Sequence, residues 1–290
     1  MDQPDQPEQA EQAEQCAEGA GPFTTRLTWR PPGGGTAVWE SRPARRQGII
    51  AVRAPGAATG RDSSADAVGV RRLRLLNAIA ATAFVIGGAL FALGAGVAQF
   101  GSGDATTCAS IYFAGGLFFN TGGFTSLLQV VNAPRHVPGG EGRLVTPPWR
   151  WWSYEPSRID WLSVFVLFVG TLVFGVNLLD SFLQGLSVQQ VNRLIWVPDV
   201  IGCMLFLISG HLGFVELCHG HRLCLRRRSL GWWIVAVNQF GSVLFMVSAI
   251  AAYTRPATDS LVNTDIANWG TLLGGACFSV GGVLQLFERP

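Results

Sequence analysis

Two ionisable side chains, His211 and Glu216, stand five positions apart in an otherwise apolar stretch and offer the obvious acid–base pair. Five residues on a helix turn through about 140°, so the two point to different sides and form no dyad within one helix. His211 remains a candidate for work with a group from another helix, since an intramembrane ionisable residue is a functional candidate by default. Cys218, His219, His221 and Cys224 then place four metal-ligating side chains in seven residues. Zinc takes a tetrahedral set, usually a close Cys pair joined by a distant second pair. Here the second pair is missing and Arg222, Arg226, Arg227 and Arg228 crowd the segment, so no metal is expected. The chain also lacks a Gly-x-Ser-x-Gly elbow, a His-Glu-x-x-His pair and a phosphate loop. The residue types therefore predict no enzyme, no catalytic residue and no cofactor.

The other polar groups in apolar text are amides and helix-end acids. Asn120, Asn177, Asn238 and Gln239 suit hydrogen bonding across helices, worth about 0.6 kcal/mol each. Asn177 follows Gly170 by seven positions and belongs on the same face. Gln129, Glu216 and Glu288 each follow a glycine (Gly115, Gly202 and Gly274) by fourteen positions. That step falls about 40° short of four turns, so each group returns close to its glycine. We expect all three at one membrane interface, either as solvated polar helix ends or with Glu216 and Glu288 paired to linker arginines such as Arg222 or Arg158.

Those glycines open a series that sets the architecture: Gly115, Phe119, Gly123; Gly202, Phe206, Gly210; and Gly274, Phe278, Gly282. Half of it recurs as Gly87/Phe91, Gly170/Phe174 and Gly241/Phe245. Residues four apart share a helix face, small residues let a second backbone approach, and the ring between them fills the groove. All six copies lie in apolar runs of about 20 residues, the length that crosses ~30 Å of hydrocarbon. The runs pair as hairpins at about 75–131, 161–217 and 232–287. The predicted fold is an all-α membrane protein: six transmembrane helices as three in-out-in hairpin repeats over 71–290, after a disordered N-terminal tail over 1–70. Mitochondrial-type carriers also have three hairpins, but their Pro-x-Asp/Glu-x-x-Lys/Arg signature is absent.

With 49% hydrophobic and 14% charged residues, the chain is too apolar for an ordinary soluble domain. All 21 basic residues are Arg. They collect in the N-terminal flank, the two long linkers and the C-terminus, while the short loops carry Arg193 and Arg255 against four aspartates, Asp104, Asp199, Asp259 and Asp265. This bias places the chain in the cell membrane with both termini cytoplasmic. Trp149, Trp151, Trp152 and Tyr154 then read as an inner interfacial anchor. The beginning of the chain, Asp2-Gln-Pro-Asp-Gln-Pro-Glu8, is acidic and lacks the basic start and apolar core of a secretory signal.

The texts Ile111–Asn120, Gly274–Gly282 and Arg158–Phe174 resemble the YrhK-like domain of bacterial multi-pass membrane proteins, a hairpin rich in Gly-x-x-x-Phe steps. The resemblance covers about 75–288, implies the helical membrane architecture and carries no assigned activity. Two functional readings follow. The first is a non-enzymatic membrane scaffold or sensor acting through its tail. The alternative is a transporter or channel with a polar path between hairpins. Against that alternative, the midplane is nearly free of charge, and Pro198 is expected at a helix start rather than inside a broken helix. The partners expected are the lipid bilayer and, through the tail, a second copy or a cytoplasmic protein; nucleic acid is not among them.

Overall fold

A computed structural model describes residues 16–32, 34–57, 60–101, 103–136, 143–220 and 224–288. The first surprise lies in the segment expected to be disordered. Residues 16–64 fold into a five-stranded antiparallel sheet of strands β1 (Cys16–Ala20), β2 (Phe23–Trp29), β3 (Thr36–Glu40), β4 (Ile49–Arg53) and β5 (Arg61–Ser64), in that order. Its strands are short and carry Thr, Ala and Arg, so no apolar alternation marks them. Trp29, Ala37, Ile50 and Ala65 form its core, together with Ala44 from a single inserted helix, α1 (Ser41–Gln47). Gly48 ends α1 in the left-handed conformation (φ 67°), donating its N–H to the Ala44 carbonyl. Residues 1–15 of the expected tail lie outside the described residues.

Six long helices follow: α2 (Ala67–Gln99), α3 (Ala105–Val131), α4 (Ile159–Asp180), then a short α5 (Val188–Val191), α6 (Val197–Cys218), α7 (Leu230–Ala251) and α8 (Thr264–Phe287). Asp66, Asp104, Ser229 and Asn263 start four of them by accepting the N–H three residues on. α2 begins eight residues ahead of the apolar run, so Arg71, Arg72 and Arg74 belong to its first turns. Five of the six are long and apolar enough to cross a membrane. The exception, α3, has the length, but Asn120, Thr121, Thr125 and Gln129 dilute its apolar character. Leu75, Ile86, Leu172, Met204, Ile250 and Val280 stand exposed on the outside of the bundle, so its surface is as apolar as its interior, the mark of a membrane-embedded protein.

The helices close a ring, each packed on the next in the order α2, α3, α4, α6, α7, α8 and back to α2. Within three consecutive pairs the glycines and phenylalanines trade places. A Cβ added to Gly87 would strike the Phe119 ring, and one added to Gly115 would crowd Phe91. The same exchange links Gly170/Phe206 with Gly202/Phe174, and Gly241/Phe278 with Gly274/Phe245. Six rings thereby reach the axis as two triangles. Phe91, Phe174 and Phe245 sit 5.5–6.2 Å apart between centroids, and Phe119, Phe206 and Phe278 sit 5.3–6.5 Å apart. The remaining motif glycines serve other neighbours: Gly123 faces Phe168 and Thr171, Gly210 faces Gln239, and Gly282 faces the α2 backbone at Ala81.

Pro198 lies inside a continuous helical stretch, not at its start. The chain is already helical at Val188, and a π-helical turn over Asn192–Trp196 leads into α6. A proline cannot donate to the residue four before it, and a widened turn relieves the clash.

Candidate functional site: an arginine helix across the mouth of the ring

α1 lies across the end of the ring where α3, α6 and α8 finish. Its sequence, Ser41-Arg-Pro-Ala-Arg-Arg-Gln47, puts arginines at i, i+3 and i+4, one face of a single turn. Each reaches a different place on the ring: Arg45 meets α6, Arg42 the end of α8, and Arg46 both α2 and α3. Arg45 donates through Nε and Nη2 to Glu216 Oε1 and Oε2, at 3.0 and 2.6 Å, and Ser41 Oγ adds a third bond to Oε1 at 2.8 Å. This pair is almost sealed, with side-chain exposures of 5% and 0%. Arg42 grips Glu288 in the same forked way, at 2.9 Å twice. Arg46 Nη1 donates to Gln129 Oε1 at 2.8 Å and Asn77 Oδ1 at 3.0 Å, both neutral.

Three of the four polar side chains met by α1 are those counted fourteen residues from the motif glycines; the fourth is Asn77. The sequence therefore located Gln129, Glu216 and Glu288, and the structure brings them together around one helix. It overturns one of their expected partners. Arg158 is held by Asp160 and Glu155 instead, and Arg222 lies outside the described residues. Arg42, Arg45 and Arg46 were missed because their segment has no apolar period. Their one-face spacing, followed by Gly48 as a helix stop, was the available signal.

The electrostatics of the latch are uneven. Burial opposes charge on Arg45, but the Glu216 carboxylate more than offsets it and holds the guanidinium above its ordinary value. Arg46 has no carboxylate of its own. Burial, and then the neighbouring Arg45 charge, push it down to about 9. A second contact ties the sheet to the ring: His219, the left-handed residue ending α6 (φ 53°), has Nδ1 3.0 Å from Thr25 Oγ1 and Nε2 3.6 Å from Glu40 Oε1.

Beneath α1 lies a cavity of about 100 Å³ reached by all six long helices. Arg45 and Arg46 roof it, Ser126, Ser163, Ser209, Asn238 and Ser242 contribute its polar wall, and Phe206 and Phe278 of the second ring triangle form its floor. Ser163 and Ser209 exchange hydrogen bonds with each other's carbonyls at 2.9 and 2.8 Å.

Other candidates fall away from this centre. His211, the candidate for work with a group from another helix, is exposed on the outer face of α6 with Met204 and Ile208. Asn177 is buried in α4 as expected for a seam residue, its carbonyl accepting from Ser181 Oγ at 2.8 Å. Cys218 and Cys224 pair as a disulfide, their Cα atoms 5.5 Å apart after the α6 stop turns the chain back; no such bridge was expected from the sequence. Among the described residues no cluster of three metal-ligating side chains occurs. Comparison with protein-family models, curated proteins and solved structures finds no match.

Proposed function

We propose that the protein is a non-enzymatic sensor or scaffold of the cell membrane. In this reading the six long helices cross the bilayer as three two-helix repeats, as the likeness to YrhK-like hairpins implies. The N-terminal sheet then reports, or holds a partner, according to whether α1 is seated in the cytoplasmic mouth of the ring. One observation supports it above the others: a single short helix makes a separate polar contact with the end of α3, α6 and α8. Such a contact links a water-soluble module to every repeat at once. Trypsin tests it. Arg45 and Arg46 are buried and Arg61 is exposed, so cleavage after Arg61 should far outpace cleavage after Arg45 or Arg46. Equal rates in the parent protein would mean that α1 does not seat.

Orientation has its own test, because two observations pull apart. Arginine bias places the α1 end in the cytoplasm, whereas the Cys218–Cys224 bridge at the same end suits an oxidising compartment. We take the arginine bias, which rests on many residues rather than one bond. An impermeant maleimide on intact cells should label Cys108 and a cysteine placed at Asp259, and spare one placed at Arg61. Labelling at Arg61 from outside reverses the topology.

A second reading, a conduit for solutes, draws on the central cavity lined by all six long helices. Two stacked triangles of phenylalanine close its path. Solute flux into proteoliposomes that rises when α1 is released would favour it.

A further inference from the structure

Among the described residues, the charges at the mouth of the ring do not sum to zero. Arg42 is matched by Glu288 and Arg45 by Glu216, each carboxylate oxygen already accepting from its arginine. Asp160, the other buried acid nearby, is held by both Nε and Nη2 of Arg158. Arg46 is left with two amide oxygens, which orient a guanidinium without neutralising it. Those amides cannot turn away easily, since Asn77 Nδ2 donates to the Gln285 carbonyl at 2.9 Å and Gln285 Nε2 donates back to Asn77 Oδ1 at 3.1 Å. An uncompensated buried charge is expensive and normally finds a counter-ion.

Donors without partners are also present. Arg45 Nη1 and Arg46 Nε are fully buried and meet no acceptor among the described residues, and Ser126 Oγ likewise has no partner. Arg45 and Arg46 are 4% and 7% exposed. All three residues line the cavity beneath α1. A water molecule could satisfy one donor, but it would leave the charge in place.

We infer that this cavity is a binding site for a small monovalent inorganic anion, held by Arg45, Arg46 and Ser126 beneath the α1 latch. One negative charge matches the one unpaired guanidinium. The cavity's 100 Å³ exceeds by several-fold the space one water requires, so a halide and a few waters fit. A bulky organic anion does not. The depressed affinity of Arg46 for its proton fits a group awaiting such a counter-ion. The site does not depend on whether the latch opens in use, so it stands or falls apart from the function proposed above.

The test uses the full chain, purified in detergent and dialysed into gluconate, an anion too large for the cavity. Chloride or bromide is then titrated at constant ionic strength, which keeps general screening fixed. The melting temperature should rise saturably with halide and stay flat in gluconate. Arg46→Gln should weaken half-saturation about tenfold or more, the usual loss for a hydrogen bond to a charged group. Ser126→Ala should weaken it about tenfold, since its hydroxyl also donates to a charged group, and it supplies the answer if Arg46→Gln does not fold. Identical melting in halide and gluconate overturns the proposal. So does a halide effect undiminished in Ser126→Ala and in Arg46→Gln where that variant folds, because the anion would then bind elsewhere.

Discussion

The middle of the ring and its α1 end hold the same helices together by opposite means. In the middle, contacts are apolar and local in kind: glycine meets phenylalanine, and both sets lie four residues apart on their own helices. At the α1 end, contacts are ionic and join Arg45 to Glu216 and Arg42 to Glu288 across most of the chain. The middle tolerates small errors, because van der Waals contacts are individually weak. The α1 end does not, because a buried charge without its partner cannot be half satisfied.

The sharpest way to break that contrast is Arg45→Met. It leaves Glu216 sealed at 0% exposure with only Ser41 as donor, and should cost about 3–5 kcal/mol of stability. Arg45→Met combined with Glu216→Leu should recover much of that loss, since replacing both charges removes the unpaired one. Melting in detergent measures both. A single mutant as stable as the double would show that water reaches Glu216 and the pair is not sealed.

Glu288→Gln comes next. Its pair with Arg42 is slightly more open, with side-chain exposures of 11% and 7%, and losing a charged hydrogen bond costs about 1.5–3 kcal/mol. The effect should shrink at high salt more than that of Arg45→Met does, because only the more open pair is screened. Equal salt response in the two variants would erase the distinction between them.

What could be read from the sequence follows the same line. The glycine–phenylalanine ridges were legible because a helix converts spacing into a face without any knowledge of its neighbours. Even Gln129, Glu216 and Glu288 were reachable by counting from those ridges. Their partners were not, since nothing in Ser41–Gln47 says which distant acid it meets. The sheet was invisible for a related reason: its core is built from single residues such as Trp29 and Ile50, one per strand, backed by alanines. The disulfide escaped because the stop at His219, which brings Cys224 back to Cys218, depends on a non-glycine residue adopting positive φ.

A test of the middle is Gly275→Ala. Its added Cβ would lie 2.6 Å from the Gly88 carbonyl oxygen and 2.8 Å from Ala92 N, both backbone atoms that cannot swing aside. α2 and α8 must therefore separate, at about 1–3 kcal/mol. Met204→Leu on the exposed outer face of α6 is the matching control and should stay near parental. Equal melting of the two would mean that the close approach of these backbones contributes nothing.

The smallest effect belongs to the seam between sheet and ring, where Glu40 meets His219. The His219 imidazole beside it lowers the carboxyl of Glu40 below its ordinary 4.5, with burial working the other way. A carboxyl depressed in the folded state binds fewer protons there than in the unfolded chain. Its contribution is therefore complete above about pH 4.5 and fades as pH falls through the lower folded value. The contact is 3.6 Å long and Glu40 keeps 31% of its side chain exposed, so about 0.2–1 kcal/mol is at stake. Glu40→Gln should flatten the stability–pH curve only within that acid window and leave neutral stability slightly reduced. His219→Asn should do the same while keeping a residue that tolerates left-handed backbone. If Glu40→Gln follows the parental curve below pH 4.5, His219 and Glu40 are neighbours without coupling, and His219 ties the sheet to the ring through Thr25 rather than through a charge.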